Sequence, residues 1–358
     1  MNFLSQIRDI YNKLSDQKSK VIFENRLLYS FTEKGDFIDN MVSSLISPYT
    51  KEEYLQKIKV FFGSDEIIAY GAGQIGRGIL RFSNIINIKA FCDSLQEKWG
   101  SIFHGYNVIS PEELVEKHSD KTVFITVLNQ NITTEITEAL LSMGFPAKQI
   151  INYCHDYNNI HPFIRDGRMR EQYFDKEIIS LDNAEEIFID AGCFDFGTSL
   201  EFIEYCGGNY KKIIAFEPNP EQYLICKSNA GNIRDAIIEP YGLYNENAEL
   251  LLSKQGAGSH ISDNTDDTVK IKVVKLDDVL NGEKVTFIKM DIEGAELNAL
   301  KGAEQTILKH RPKLEICVYH KPEDIWEIPN YILSLHSDYK LYFRHYTFWA
   351  SETVLYAV

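Results

Sequence analysis

The chain reads as α/β. A helical segment spans residues 1–62, an α/β unit spans 63–155, a linker spans 156–183 and a second α/β unit spans 184–358. Three observations predict this. First, two glycine-rich turns each follow a short apolar run: Gly71-Ala-Gly73-Gln-Ile-Gly76 after Glu66–Tyr70, and Asp190-Ala-Gly192-Cys-Phe-Asp-Phe-Gly197 after Ile187-Phe-Ile189. Second, each turn leads into a helical stretch and then an apolar run that ends in an acid, Asp93 in one unit and Glu217 in the other. Strand, glycine turn, helix, strand and acid make a mononucleotide-binding half, so both units are expected to be Rossmann-like. Third, apolar runs alternate with helical spacing through the remainder of both units.

The elements follow in order. Phe3, Leu4, Ile7, Ile10, Tyr11 and Leu14 recur at helical spacing, as do Tyr54, Leu55, Ile58 and Phe61-Phe62. This segment carries no obvious chemistry and suits a helical lid or an arm for homo-oligomerisation. Strands are expected at 66–70, 88–91 and 122–127. A helix begins after Ser110-Pro-Glu-Glu113, where the serine caps, the proline takes the first position and the acids favour the positive dipole end. Another runs from Thr133 to Met143 and stops at Gly144. Over 156–183 the hydrophobic period weakens. Beyond it, strands are expected at 187–190, 213–217, 237–242, 270–276, 285–291 and 313–319. Lys340–Arg344 and Glu352–Val358 close the chain as a hairpin, which would put an antiparallel strand into a parallel sheet.

Bulk properties narrow the function classes. The 358 residues are 44% hydrophobic and 12% aromatic, enough for two packed cores. A net charge of −15 argues against a general nucleic-acid binder, which needs a basic face. The six cysteines (Cys92, Cys154, Cys193, Cys206, Cys226 and Cys317) are scattered with no Cys-x-x-Cys pair, against a zinc knuckle or a secreted disulfide scaffold. No apolar run approaches the ~18 residues of a membrane helix. The first residues show no signal-peptide core, so a cytoplasmic protein is expected.

The turn at 190–197 carries the sharpest chemistry. Its glycines let backbone approach a ligand, and Glu217 can accept hydrogen bonds from two ribose hydroxyls. The Asp-x-Gly-x-x-x-x-Gly spacing differs from the dinucleotide pattern and suits a nucleoside without a pyrophosphate, S-adenosylmethionine being the commonest such cofactor. Downstream, Asp291 and His320 join Asp190 and Glu217 at expected strand ends, where open α/β sheets bind ligands.

Five segments resemble the FkbM-type methyltransferases, a branch of the class I S-adenosylmethionine-dependent enzymes. They are Phe188-Ile-Asp-Ala-Gly-Cys-Phe-Asp-Phe-Gly-Thr-Ser199, Ala215-Phe-Glu-Pro-Asn-Pro220, Lys275-Leu-Asp-Asp278, Phe287-Ile-Lys-Met-Asp-Ile-Glu-Gly-Ala-Glu296 and Leu300-Lys-Gly-Ala303. The resemblance covers roughly 185–358. It implies a class I methyltransferase sheet, S-adenosylmethionine as cofactor, Asp190, Gly192 and Gly197 at its methionine and ribose end, and Glu217 on its ribose hydroxyls. Asp277, in the third segment, is placed with this cofactor set. Cys193 stands where the family usually has a smaller residue. Family members commonly O-methylate sugars, polyketides and other hydroxylated metabolites, so a saccharide, nucleotide sugar or related small metabolite is the expected acceptor.

Methyl transfer is an in-line displacement that needs aligned reactants and a route for the acceptor proton. His320 is the first candidate base, His345 the second and His260 the third. Asp291 and Glu293 could orient the acceptor. With Glu315 they could hold a hard cation, though cofactor-facing and helix-capping roles are favoured and no metal is expected. Trp326, Trp349, Tyr319 and Tyr346 could stack on a sugar, Trp326 foremost, or lie in the core.

Gly71, Gly73, Gly76 and Asp93 spell a dinucleotide fingerprint. The unit is short and lacks a catalytic partner for hydride transfer. Tyr70-Gly-Ala-Gly73, Phe91-x-Asp93, Asp93-Ser-x-x-x-Lys-Trp-Gly100 and Gly105-Tyr-Asn-Val-Ile-Ser-Pro111 resemble a small Rossmann-like domain of sugar-modifying enzymes. A nucleotide-linked acceptor, a ligand-free packing turn and NAD are the three readings. An NAD-dependent dehydrogenase or epimerase and a non-catalytic nucleotide-binding module are the alternatives to a methyltransferase.

Overall fold

The computed structural model describes residues 2–45, 51–63, 65–127, 130–153, 172–181, 185–253, 261, 268–347 and 350–358. The chain divides into two compact units, Ile46–Arg168 and Met1–Leu45 together with Met169–Val358. The residues expected as one N-terminal helical segment are thus shared. Helices α1 (Phe3–Lys13), α2 (Gln17–Thr32) and α3 (Gly35–Leu45) belong to the larger unit, and α4 (Lys51–Phe62) to the smaller.

The smaller unit contains β1 (Glu66–Tyr70), α5 (Gln74–Ile79), β2 (Asn87–Cys92), β3 (Ile102–Phe103), β4 (Tyr106–Ile109), α6 (Pro111–His118), β5 (Thr122–Ile125), α7 (Gln130–Ser142) and β6 (Ile150–Asn152). Its six-stranded sheet has the order β3-β4-β2-β1-β5-β6. Only β3 runs antiparallel to its neighbour. Ser110 caps α6 as its sequence dictates, accepting the Glu113 N–H at 3.1 Å. Gly144 follows α7 with φ +87°.

The larger unit continues with β7 (Ile187–Ala191), α8 (Gly197–Tyr205), β8 (Lys212–Phe216), α9 (Pro220–Ala230), β9 (Ala236–Glu239), β10 (Gly242–Leu243), β11 (Ala248–Ser253), β12 (Thr268–Val274), α10 (Leu276–Leu280), β13 (Phe287–Met290), α11 (Glu296–Lys301), α12 (Glu304–His310), β14 (Lys313–Cys317), α13 (Asp324–Leu335), β15 (Leu341–His345) and β16 (Thr353–Ala357). The main sheet has the order β15-β16-β14-β13-β7-β8-β9. The five strands from β14 to β9 are parallel, and β16 enters antiparallel as the expected hairpin. Strand order reverses between β7 and β13, so the crevice lies outside their carboxyl ends. The apolar stretches from 242 to 274 do not join this sheet. They form a separate three-stranded sheet, β10-β12-β11.

Aromatic rings fill the space under α8. Phe188 on β7 stacks on Phe202 of α8 with centroids 4.4 Å apart, and Phe174 and Phe287 pack edge-on beside them. Helices α1 and α2 bury Ile10, Leu14, Ile22 and Phe23 within the same unit. Ser19 Oγ accepts the Phe343 N–H, and Arg344 pairs with Asp16 at 2.7 Å and Asp175 at 3.1 Å. Among the described residues no helix is long and apolar enough to cross a membrane.

Candidate functional site

The glycine turn is built by backbone approach. The N–H groups of Gly192 and Cys193 both donate to the Phe216 carbonyl, which ties the β7 exit to the end of β8. Gly192 has φ +75°, and a Cβ there would overlap the carbonyl oxygen of Asp291. No other residue satisfies both constraints. Phe194 and Phe196 take positive φ as well, at 50° and 71°, a strained conformation that clusters at functional turns. Asp195 Oδ1 accepts the Gly197 N–H at 2.8 Å and opens α8.

Glu217 stands at the exit of β8. Its Oε2 accepts the Phe194 N–H at 3.0 Å and its Oε1 the Asn219 N–H at 2.9 Å. Asn219 then caps α9, with Pro220 at the first helical position. Burial pushes the Glu217 carboxyl up to about 7, against the pull of those two backbone donors. Each oxygen keeps a second lone pair, the acceptor capacity two hydroxyls require.

Asp190 serves the turn from beneath. It is fully buried, pairs with Lys289 Nζ at 3.0 Å and accepts the Ser199 hydroxyl at 2.7 Å. Lys289, its register neighbour on β13, also donates to the carbonyls of Gly192 (2.8 Å) and Ala191 (3.3 Å). Burial opposes the charge on Lys289, but the Asp190 and Asp291 carboxylates hold the ammonium above its ordinary range. Asp190 therefore shapes the loop rather than facing the crevice, and the sequence reading missed its partner Lys289.

The other side of the crevice is acidic. Asp291 Oδ2 accepts the Tyr173 hydroxyl at 2.9 Å, and Oδ1 the Tyr319 hydroxyl at 3.3 Å. Gln172 Nε2 reaches both Tyr173 and Glu352. His320, at the exit of β14, has its Nδ1 2.9 Å from Glu296 Oε1, and its Nε2 3.4 Å from Glu293 Oε2 and 3.5 Å from Asp291 Oδ1. Glu296 Oε1 also accepts the Ile292 N–H, closing the turn that starts α11. Glu293 is held at φ +55°, and burial pushes its carboxyl up to about 7 against the pull of His320. A cavity of about 310 Å³ opens here, lined by Tyr244, Glu293, Gly294, Asn298, His320 and Lys321.

Several sequence assignments change. Burial works against a charged imidazole, yet Glu296, Asp291 and Glu293 outweigh it and pull His320 up to about 9. These carboxylates favour the protonated imidazole, which works against His320 as the lone base. His345 is buried, with Nδ1 2.8 Å from Thr353 Oγ1, and β16 separates its strand from β14. The Asp277 carboxylate is engaged by α12. Its oxygens accept the N–H groups of Gln305 and Thr306 at the start of α12, so it caps that helix from outside its own sequence. Trp326 stacks on Phe31, centroids 5.6 Å apart, with Phe3 against it edge-on, so its rings serve helix packing rather than a sugar. Glu315 is buried within β14 opposite Lys289, apart from Asp291. Tyr346 is buried against the Tyr356 hydroxyl. His260 and Trp349 lie outside the described residues.

In the smaller unit the fingerprint is internally occupied. Gly71 has φ +118° and a Cβ there would meet Thr126 Oγ1 at 2.8 Å, while one on Gly76 would overlap the Gly71 carbonyl. Gly73 faces open space. Asp93 accepts the N–H groups of Ala72 (2.9 Å) and Leu95 (3.0 Å) and pairs with Lys98 at 2.9 Å. Two of the three glycines and the acid are thus accounted for by the turn's own packing.

Residues 190–348 match the family described as the methyltransferase FkbM domain, and residues 63–151 match the family described as C2185-like, N-terminal. Among solved structures, the chain is similar to a methyltransferase FkbM from Methylobacillus flagellatus KT, at 20% identity over 94% of this chain and 99% of that one, with a TM-score of 0.49. It is also similar to Aeropyrum pernix fibrillarin in complex with natively bound S-adenosyl-L-methionine, at 13% identity over 53% and 74% of the two chains, TM-score 0.35. An rRNA methylase from Streptococcus thermophilus gives 13% identity over 55% and 94%, TM-score 0.34. No curated protein matches the sequence.

Proposed function

We propose that the chain, whose residues 190–348 match the methyltransferase FkbM domain, moves the methyl group of S-adenosylmethionine onto a hydroxyl of a saccharide, nucleotide sugar or related small metabolite. The observation that carries this reading is Glu217. A buried acid at the exit of β8, facing a turn kept open by Gly192, suits two ribose hydroxyls and no phosphate. The adenosyl group would lie over the β7 and β8 exits, with its sulfonium toward the β7–β13 switch point.

The acceptor would enter the cavity beside Glu293, Asn298 and His320. The enzyme's main task is alignment of the attacking oxygen with the methyl and sulfur, and exclusion of water. The acceptor proton is assigned to the Asp291, Glu293 and His320 cluster, where both carboxylates lie within 3.5 Å of the imidazole Nε2.

The test combines binding and turnover. S-adenosylhomocysteine, NAD and nucleotide sugars are compared for thermal stabilisation, with ~2.7 kcal/mol expected from the true ligand at 100 Kd. Labelled S-adenosylmethionine is then incubated with hydroxylated acceptors. Stabilisation by NAD alone, or label transferred only to amines, would reject the reading.

A further inference from the structure

We propose that Asp291, Glu296 and His320 form a binding site for a first-row divalent cation of the Mn²⁺ or Zn²⁺ kind, at the cavity by the exits of β13 and β14. One ligand atom from each of the three residues lies within 4.8 Å of the other two. Ligands held ~2.0–2.2 Å from a shared ion are separated by up to about twice that length, so small side-chain rotations close the site. One imidazole nitrogen with carboxylate oxygens is a donor set for Mn²⁺ or Zn²⁺ rather than for Ca²⁺.

Unpartnered buried atoms point the same way. The His320 side chain is only 8% exposed and lines the cavity, yet its Nε2 has no hydrogen-bond partner among the described residues. Its separations of 3.4 Å from Glu293 and 3.5 Å from Asp291 are too long for well-formed hydrogen bonds. Glu296 is fully buried and its Oε2 is likewise unpartnered. Orphaned polar atoms of this kind are rare and ask for a ligand.

Charge and support agree. Asp291, Glu293 and Glu296 surround the single imidazole of His320; of the cations nearby, Lys289 is engaged by Asp190 and Lys321 lines the cavity. Buried carboxylates in excess of their partners are costly unless a cation joins them. Tyr173 and Tyr319 hold Asp291, and the Ile292 N–H holds Glu296, the outer hydrogen bonds that orient metal ligands. The cavity leaves coordination positions open to water or to an acceptor oxygen. Resting on the methyl-transfer reading, the ion would polarise the acceptor hydroxyl and ease loss of its proton.

Mn²⁺ titration of the full-length protein, followed by electron paramagnetic resonance, tests the site. One tight Mn²⁺ per chain is expected, displaced by Zn²⁺, with affinity at least tenfold weaker in His320→Ala and Glu296→Gln. Asp291→Asn, which keeps side-chain shape, provides the same readout if either variant fails to fold. Asp277→Ala serves as the control and should bind normally. No bound Mn²⁺, or binding unchanged by all three substitutions, overturns the proposal. S-adenosylhomocysteine binding is measured on the same samples. Its presence without Mn²⁺ binding rejects the cation site alone, and its absence beside Mn²⁺ binding rejects only the cofactor reading.

Discussion

Gly192 and Asp291 meet backbone to backbone across the switch point, so closely that a Cβ on the glycine would overlap the aspartate carbonyl. The turn that would cradle the cofactor and the strand exit that heads the acidic cluster are therefore one junction. Gly192→Ala must both accept φ +75° and displace the carbonyl of Asp291, the residue after β13. It should cost about 2–3 kcal/mol in stability and weaken S-adenosylhomocysteine binding. Urea unfolding checks the first effect, and a variant as stable as the parent would show that the junction is loose.

Glu217 makes cofactor affinity depend on pH. Its native carboxyl sits at about 7, above the unfolded value of 4.5, so the folded state holds an extra proton between those values. By linkage this group's contribution to stability falls as pH rises from 4.5 to 7. Ribose hydroxyls donate to the ionised form, so affinity should rise through pH 7 and level off above it. Isothermal titration from pH 5.5 to 8 should show this rise, with Glu217→Gln at least about tenfold weaker and flat with pH. A parent curve already flat across that range contradicts the assignment.

Lys289 and Asp190 are both almost wholly buried. Removing the cation alone leaves an unpaired buried carboxylate. Lys289→Met should therefore cost about 3–5 kcal/mol, and the double variant with Asp190→Asn distinctly less. A double-mutant cycle measures the difference. Additive losses would mean that the two groups act independently.

Asp277→Ala removes the acceptors for two N–H groups at the start of α12. The expected loss is about 1 kcal/mol, with cofactor affinity unchanged. Calorimetric unfolding together with a binding titration tests both halves. Weakened cofactor binding at wild-type stability would return Asp277 to the cofactor site.

Much of this was legible in the chain. Strand, glycine turn and acid recur at local spacing, so the exits of β7 and β8, Gly192 and Glu217 follow from sequence alone. What escaped depends on pairing between distant elements. Lys289 reads as one residue in an apolar strand until register sets it beside Asp190. Tyr173 and Glu352 reach Asp291 and Tyr319 from far along the chain, and no local pattern marks them. Asp277 and Trp326 were misplaced for the same reason. Their partners Thr306 and Phe31 lie on other helices, and a motif or an aromatic residue alone does not say which surface it meets. Glu296 was visible in its motif, but its contact with His320 needed the fold.

A crystal structure of the full chain with S-adenosylhomocysteine bound tests the central claim most directly. The account predicts the ribose hydroxyls within hydrogen-bond reach of Glu217 and the sulfur near Gly192 and Asp291. Electron density for the nucleoside at the Gly71–Asp93 turn instead, or a ribose away from Glu217, would contradict it.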